Sequence, residues 1–180
     1  LDAGFDFYAT QTAESPDGRR ILTAWMGLPD VAYPTDSEDW AHCLTFPREL
    51  SIKDGKLIQQ PVRELVALRK EQALSESGLL SEAKHFERSG ANCYELKLDV
   101  AFPASADHAP VTLDLCEDAT NDKRFRITLD PTTKKITIDR SRCGIPFAEE
   151  FGTTRTLGDE QMEAVKVQIF VDTSSVEIFV

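Results

Sequence analysis

Ala91-Asn92-Cys93-Tyr94-Glu95-Leu96-Lys97-Leu98-Asp99-Val100 alternates along its length: Tyr94, Leu96, Leu98 and Val100 are separated by Glu95, Lys97 and Asp99. Successive side chains of a strand point to opposite faces, so this pattern predicts a strand with one buried face. Similar short runs recur at 111–116, 124–130, 134–140, 164–171 and 175–180. Turn residues separate them, among them Asn121-Asp122-Lys123, Asp130-Pro131-Thr132-Thr133, Gly158-Asp159-Glu160 and Asp172-Thr173-Ser174-Ser175. Regularly spaced short strands without helical interludes predict an antiparallel sandwich or barrel.

Upstream the pattern is also extended, but punctuated differently. Residues 5–12 and 19–26 are rich in aromatic and β-branched types, and Ser15-Pro16-Asp17-Gly18 between them predicts a hairpin turn. Residues 28–41, with Pro29, Pro34 and Trp40, read as a surface loop. A second hairpin is expected around Asp54-Gly55, between Leu50-Ser51-Ile52 and Leu57-Ile58-Gln59-Gln60. From Pro61 to Lys70 the spacing of Val62, Leu65, Val66 and Leu68 predicts a short helix with one packed face. The expected organisation is therefore a β-portion over 1–60, a helical linker over 61–72 and a β-sandwich over 73–180. Leu1 and Val180 both abut structured segments without a polar tail, so both ends read as cut.

Of the 180 residues, 31 are Asp or Glu and 20 are Lys or Arg, giving a formal net charge of −11. Neutralising phosphates needs a basic surface, so nucleic acid is excluded as a general partner. No apolar run reaches the roughly 18 residues that would span a bilayer, and the N-terminus lacks a signal-peptide pattern; a cytoplasmic chain without membrane partners is expected. The cysteines Cys43, Cys93, Cys116 and Cys143 are far apart and should be reduced thiols.

The common catalytic signatures for nucleophile elbows, zincins, P-loops and dinucleotide binding are absent. His42, His85 and His108 are dispersed, so neither a metal nor a cofactor is expected. Asp2 and Asp6 would lie roughly 13 Å apart in an extended chain at about 3.3 Å per residue. A glycosidase carboxyl pair needs about 5 to 9.5 Å, so they form no such pair unless the chain turns at Gly4. The alternative for both is a solvated strand-end carboxylate. Trp25 and Trp40 flank the acidic loop and suit either core packing or a sugar-stacking platform. Arg48-Glu49 reads as ion-pairing or strand-edge charge rather than a catalytic dyad.

Several segments together carry a family resemblance. Asp2-Ala3-Gly4-Phe5-Asp6-Phe7-Tyr8-Ala9-Thr10-Gln11, Asp17-Gly18-Arg19-Arg20-Ile21-Leu22, Trp25-Met26-Gly27, Trp40-Ala41 and Leu44-Thr45-Phe46-Pro47-Arg48-Glu49-Leu50 resemble the last propeller blade of glycoside hydrolase family 32. Gln59-Gln60-Pro61-Val62-Arg63-Glu64-Leu65 resembles that blade's exit, and Asp172-Thr173-Ser174-Ser175-Val176-Glu177-Ile178-Phe179-Val180 a late strand of the family's sandwich. The family includes invertases and sucrose-6-phosphate hydrolases.

The resemblance implies an all-β fold: the end of a five-bladed β-propeller, a short helix and a C-terminal β-sandwich. It implies retaining hydrolysis of β-fructofuranosides such as sucrose or sucrose 6-phosphate. The family's nucleophile, stabiliser and acid/base lie in W-M-N-D-P-N-G, R-D-P and E-C motifs, none of which occurs here, so this chain holds no catalytic residue. What it would contribute is substrate binding, with Asp2 as a hydroxyl acceptor near the acid/base, Trp25 on the rim of the fructose pocket and Tyr8 in the same blade. Thr10, where the family commonly has proline, departs from the pattern. The expected partners are the fructoside and either the missing propeller portion or further copies of the chain. The competing reading is a non-catalytic sandwich module for packing, oligomerisation or sugar binding; an independent lectin would need an aromatic strip that residues 91–180 lack.

Overall fold

The computed structural model describes residues 2–87, 92–103, 108–158 and 162–180. Among the described residues there are three antiparallel sheets, and the helical content is confined to short 3-10 segments.

The first sheet runs in the order β1 (Tyr8–Glu14), β2 (Arg20–Met26), β4 (Arg48–Lys53), β5 (Lys56–Pro61), with the two-residue strand β3 (Cys43–Leu44) also on β2. Both expected hairpins form. Gly18 closes the first at φ +82°, and its amide donates to the Ser15 carbonyl at 2.9 Å. Asp54 and Gly55 both take positive φ, 51° and 75°, in a two-residue turn between the paired Lys53 and Lys56. Positive φ at both central positions suits the right-handed twist of the strands, and glycine adopts it without a Cβ penalty.

β3 and β4 lie end to end along one edge of β2. Thr45 fills the break between them: its amide donates to the Ala24 carbonyl at 2.9 Å and its buried hydroxyl accepts from the Ala24 amide at 3.1 Å. Backbone pairing thus continues where Pro47 supplies no donor. β1 carries a bulge between Tyr8 and Gln11, with Ala9 at φ +48°. The departure noted at Thr10 falls inside that bulge.

β6 (Tyr94–Ala101), β11 (Ala164–Val171) and β12 (Val176–Phe179) form the second sheet; β7 (Val111–Asp118), β8 (Lys123–Asp130), β9 (Lys135–Asp139) and β10 (Thr154–Gly158) form the third. Val165, Val167, Ile169 and Val171 bury one face of β11 within the same core as Phe125, Ile127 and Leu129 of β8. Burying each large side chain contributes about 1.5 to 3 kcal/mol, and this interior is the main apolar core. The all-β class with its blade-and-sandwich plan therefore stands.

The helix expected from Pro61 takes another form. Pro61 is the last residue of β5, where it pairs with Arg48, and the helical part is a 3-10 segment at Arg63–Leu68. Val62 is buried there and Leu65 half-buried, but Val66 and Leu68 are 51% and 70% exposed. Without a wide apolar contact the segment lacks the tertiary packing that sustains an α-helix in water. β10 was not anticipated: Thr154-Arg155-Thr156-Leu157-Gly158 is an edge strand with almost every side chain exposed, so it has no apolar alternation to read.

Candidate functional site

Asp2 and Asp6 do not share a site. The Asp2 side chain turns back on its own segment, where Oδ1 accepts from the Gly4 amide at 2.7 Å, and Oδ2 accepts from Arg48 Nη1 at 2.8 Å. Asp6 instead accepts from the Tyr33 hydroxyl at 2.8 Å. Tyr33 in turn accepts from the Leu28 amide, so the phenol is held at both ends of its hydrogen-bonding capacity. Burial, reinforced by Asp6, pushes the Tyr33 phenol well above its ordinary pKa.

Arg48 is 7% exposed and Glu177, on β12, is 6% exposed. Arg48 Nη2 donates to Glu177 Oε2 at 3.0 Å, and the Phe46 amide donates to Glu177 Oε1 at 2.6 Å. The guanidinium lies 4.6 Å from the centre of the Phe7 ring and 5.3 Å from that of Phe179. Burial pushes the Glu177 carboxyl above the ordinary range; the Phe46 amide and Arg48 oppose this without cancelling it. The neighbouring Glu49 pairs separately with Arg19, so Arg48 and Glu49 serve different ion pairs rather than one with each other.

Tyr8 and Trp25 do come together. They are cross-strand partners on β1 and β2, with ring centres 6.0 Å apart. Trp25 continues into His42 at 4.8 Å, and His42 into Tyr33 at 4.5 Å, both edge-on. Phe147 of the sandwich closes the row, 5.3 Å from Tyr33. Tyr8 is 51% exposed and Trp25 half-buried, so the row is packed at its inner end and open at its outer end. Such a surface offers ring faces to the C–H side of a sugar, and the Asp2 carboxylate offers acceptors to hydroxyls. Trp40 does not join the row: its indole N–H donates to Glu38 at 3.3 Å.

Sequence reasoning passed over His42, Tyr33 and Glu177. Glu177 left only an ambiguous signal, because strand alternation in Val176-Glu177-Ile178-Phe179 sets it on the face opposite Val176 and Ile178, a pattern that reads equally as solvent-facing. His42 left none, since its place depends on a positive φ of 73° that only the fold reveals. Among the described residues no group of three or more His, Cys, Asp or Glu is arranged to hold a metal ion.

Residues 1–61 match the N-terminal domain of the glycosyl hydrolases family 32, and residues 64–180 match that family's C-terminal domain. The chain belongs to glycosyl hydrolase family 32. Its relatives within the family include the sucrose-6-phosphate hydrolases of Pediococcus pentosaceus, 36% identical, and of Streptococcus mutans serotype c, 39% identical; each match covers 100% of this chain and 34% of the relative. The family 32 chain thus spans about a third of the length of the curated relatives it matches. Among solved structures, sucrose-6-phosphate hydrolase from Lactobacillus gasseri superposes with a TM-score of 0.83 at 37% identity, over 99% of this chain and 35% of that one. The exo-inulinase from Aspergillus awamori shares the fold, with a TM-score of 0.77 at 23% identity over 99% of this chain and 36% of that one.

Proposed function

We propose that residues 1–180 are the C-terminal part of a β-fructofuranosidase that hydrolyses sucrose or sucrose 6-phosphate with retention in the cytoplasm. The observation that carries this reading is the match along the whole chain to relatives named sucrose-6-phosphate hydrolase, across the blade and the sandwich alike. Residues 1–60 are read as the end of a five-bladed propeller, 61–72 as the linker and 73–180 as the sandwich. Asp2, Tyr8 and Trp25 are read as substrate-binding residues, with Asp2 accepting from a hydroxyl and the two rings forming a stacking wall. The three catalytic carboxylate motifs of the family do not occur in residues 1–180, so the chemical step belongs to carboxylates outside them.

Two measurements test the reading. The purified 180-residue chain should release neither glucose from sucrose nor glucose 6-phosphate from sucrose 6-phosphate; robust hydrolysis would sink it. In the full-length protein, Trp25→Ala and Asp2→Asn should each weaken fructoside binding by calorimetry about tenfold, the order expected for one stacking face or one charged hydrogen bond. Unchanged affinity in both variants would favour a non-catalytic packing module.

A further inference from the structure

Asp2 lies in an irregular segment ahead of β1, so no strand pairing holds its carboxylate in place. Apart from the short bond from the Gly4 amide, its contact is Arg48, and the place of the carboxylate follows the place of that guanidinium. Arginine has several rotatable bonds and a five-donor fork, and beside a lone carboxylate it favours a parallel, two-bond pairing. That arrangement is not what Asp2 receives. Nη1 goes to Asp2 Oδ2 and to Gln59 Oε1, the latter at 3.3 Å, while Nη2 goes to Glu177 Oε2. The fork is thus divided between two carboxylates, one on the irregular segment ahead of β1 and one on β12 of the sandwich.

Glu177 is itself rigidly held. Val176 and Ile178 on either side of it pack into the sandwich core, so Glu177 faces the blade, where its second oxygen is fixed by the Phe46 amide. Phe179, on the same face of β12, and Phe7 both lie against the guanidinium. Arg48 Nε is buried without a hydrogen-bond partner, so the orientation of the fork is set by its two terminal nitrogens and the rings.

We infer that Glu177, from the sandwich, is a positioning residue for substrate binding: it holds one arm of the Arg48 fork so that Asp2 is met through a single nitrogen and keeps acceptor capacity for a sugar hydroxyl. This rests on the reading of Asp2 as a substrate acceptor. Without the Glu177 carboxylate, Arg48 is released to pair with both oxygens of Asp2, and the acceptor capacity left for the hydroxyl falls. The sandwich then contributes to affinity although it supplies no group that touches the sugar.

Steady-state kinetics of the full-length protein on sucrose and sucrose 6-phosphate test this with a double-mutant cycle of Asp2→Asn and Glu177→Gln. Asp2→Asn should raise KM about tenfold. Glu177→Gln should raise KM roughly three- to tenfold with kcat changed by less than about twofold, because loss of folded protein lowers apparent kcat and leaves KM alone. The double variant should be no worse than Asp2→Asn, since both changes act on the same hydrogen bond. A KM unchanged in Glu177→Gln, or effects that multiply in the double variant, overturns the inference and leaves the Asp2 reading standing. A KM unchanged in Asp2→Asn overturns the Asp2 reading and this inference with it. Should Glu177→Gln not reach the native state by circular dichroism, Glu177→Asp takes its place: it keeps the charge but withdraws the carboxylate from Arg48 by one methylene, and the same non-additivity with Asp2→Asn decides.

Discussion

Gly27 follows Met26, the last residue of β2, and its absent side chain is what lets Trp25 lie where it does. A Cβ there would sit 2.5 Å from the Trp25 indole nitrogen and 2.7 Å from His42 Cδ2, closer than such atoms approach. Both neighbours are rings held by further rings, so neither withdraws freely. Gly27→Ala is therefore expected to destabilise by about 1 to 3 kcal/mol through overpacking and to displace Trp25 toward solvent. Chemical unfolding measures the first, and a red shift of Trp25 emission in a Trp40→Phe background the second. An unshifted spectrum would mean that the ring row tolerates the methyl. At this scale Tyr8 and Trp25 were legible through the family resemblance of their segments, and the hairpin pattern alone left Trp25 open between core packing and a sugar platform. The link from Asp2 through Arg48 to Glu177 was not legible, because these residues lie 46 and 175 positions from Asp2 and meet only in the packed fold.

For whole elements, legibility followed burial. The runs at β6, β7, β8, β9, β11 and β12 were readable because each hides one face in a shared core, and alternation is the imprint of that burial. β10 hides almost nothing and was missed, while the linker's apolar spacing suggested an α-helix that no packing surface sustains. The same contrast predicts how the strands respond to truncation. Ile169, fully buried at the centre of β11, should cost about 2 to 5 kcal/mol when changed to alanine. Leu157 on β10, 45% exposed, should cost less than about 1 kcal/mol. Urea midpoints at constant slope compare the two, and similar losses would mean that β10 is packed as tightly as the central strands.

Over the whole molecule, the formal charge of −11 sets the background against which individual carboxylates act. Asp17, Glu64, Glu95, Asp114, Asp118, Asp130 and Asp172 are all held below their ordinary pKa, chiefly by side-chain hydrogen bonds: Ser15 for Asp17, Arg19 for Glu64, Arg69 for Glu95 and Arg126 for Asp114. A carboxyl lowered on folding contributes stability above its unfolded pKa and loses it as pH falls toward the folded value. Glu177 runs the other way: raised by burial despite the facing Arg48 and Phe46 amide, and with Asp2 adding to the rise, it contributes stability below about 4.5 that is lost as pH increases through its folded pKa. Self-repulsion of the net negative chain also grows with pH above the isoelectric point near 4.7. Thermal unfolding is thus expected to show a maximum on the weakly acidic side of neutrality and a decline below about pH 4, where the lowered carboxylates take up protons. Glu177→Gln should lower the whole curve and flatten its descent on the high-pH side, where the raised carboxyl would otherwise ionise. A Tm that keeps rising from pH 4 to 3 would show that relief of repulsion outweighs the carboxylate hydrogen bonds. An unaltered slope in Glu177→Gln would show that Arg48 holds that carboxyl ionised in spite of its burial.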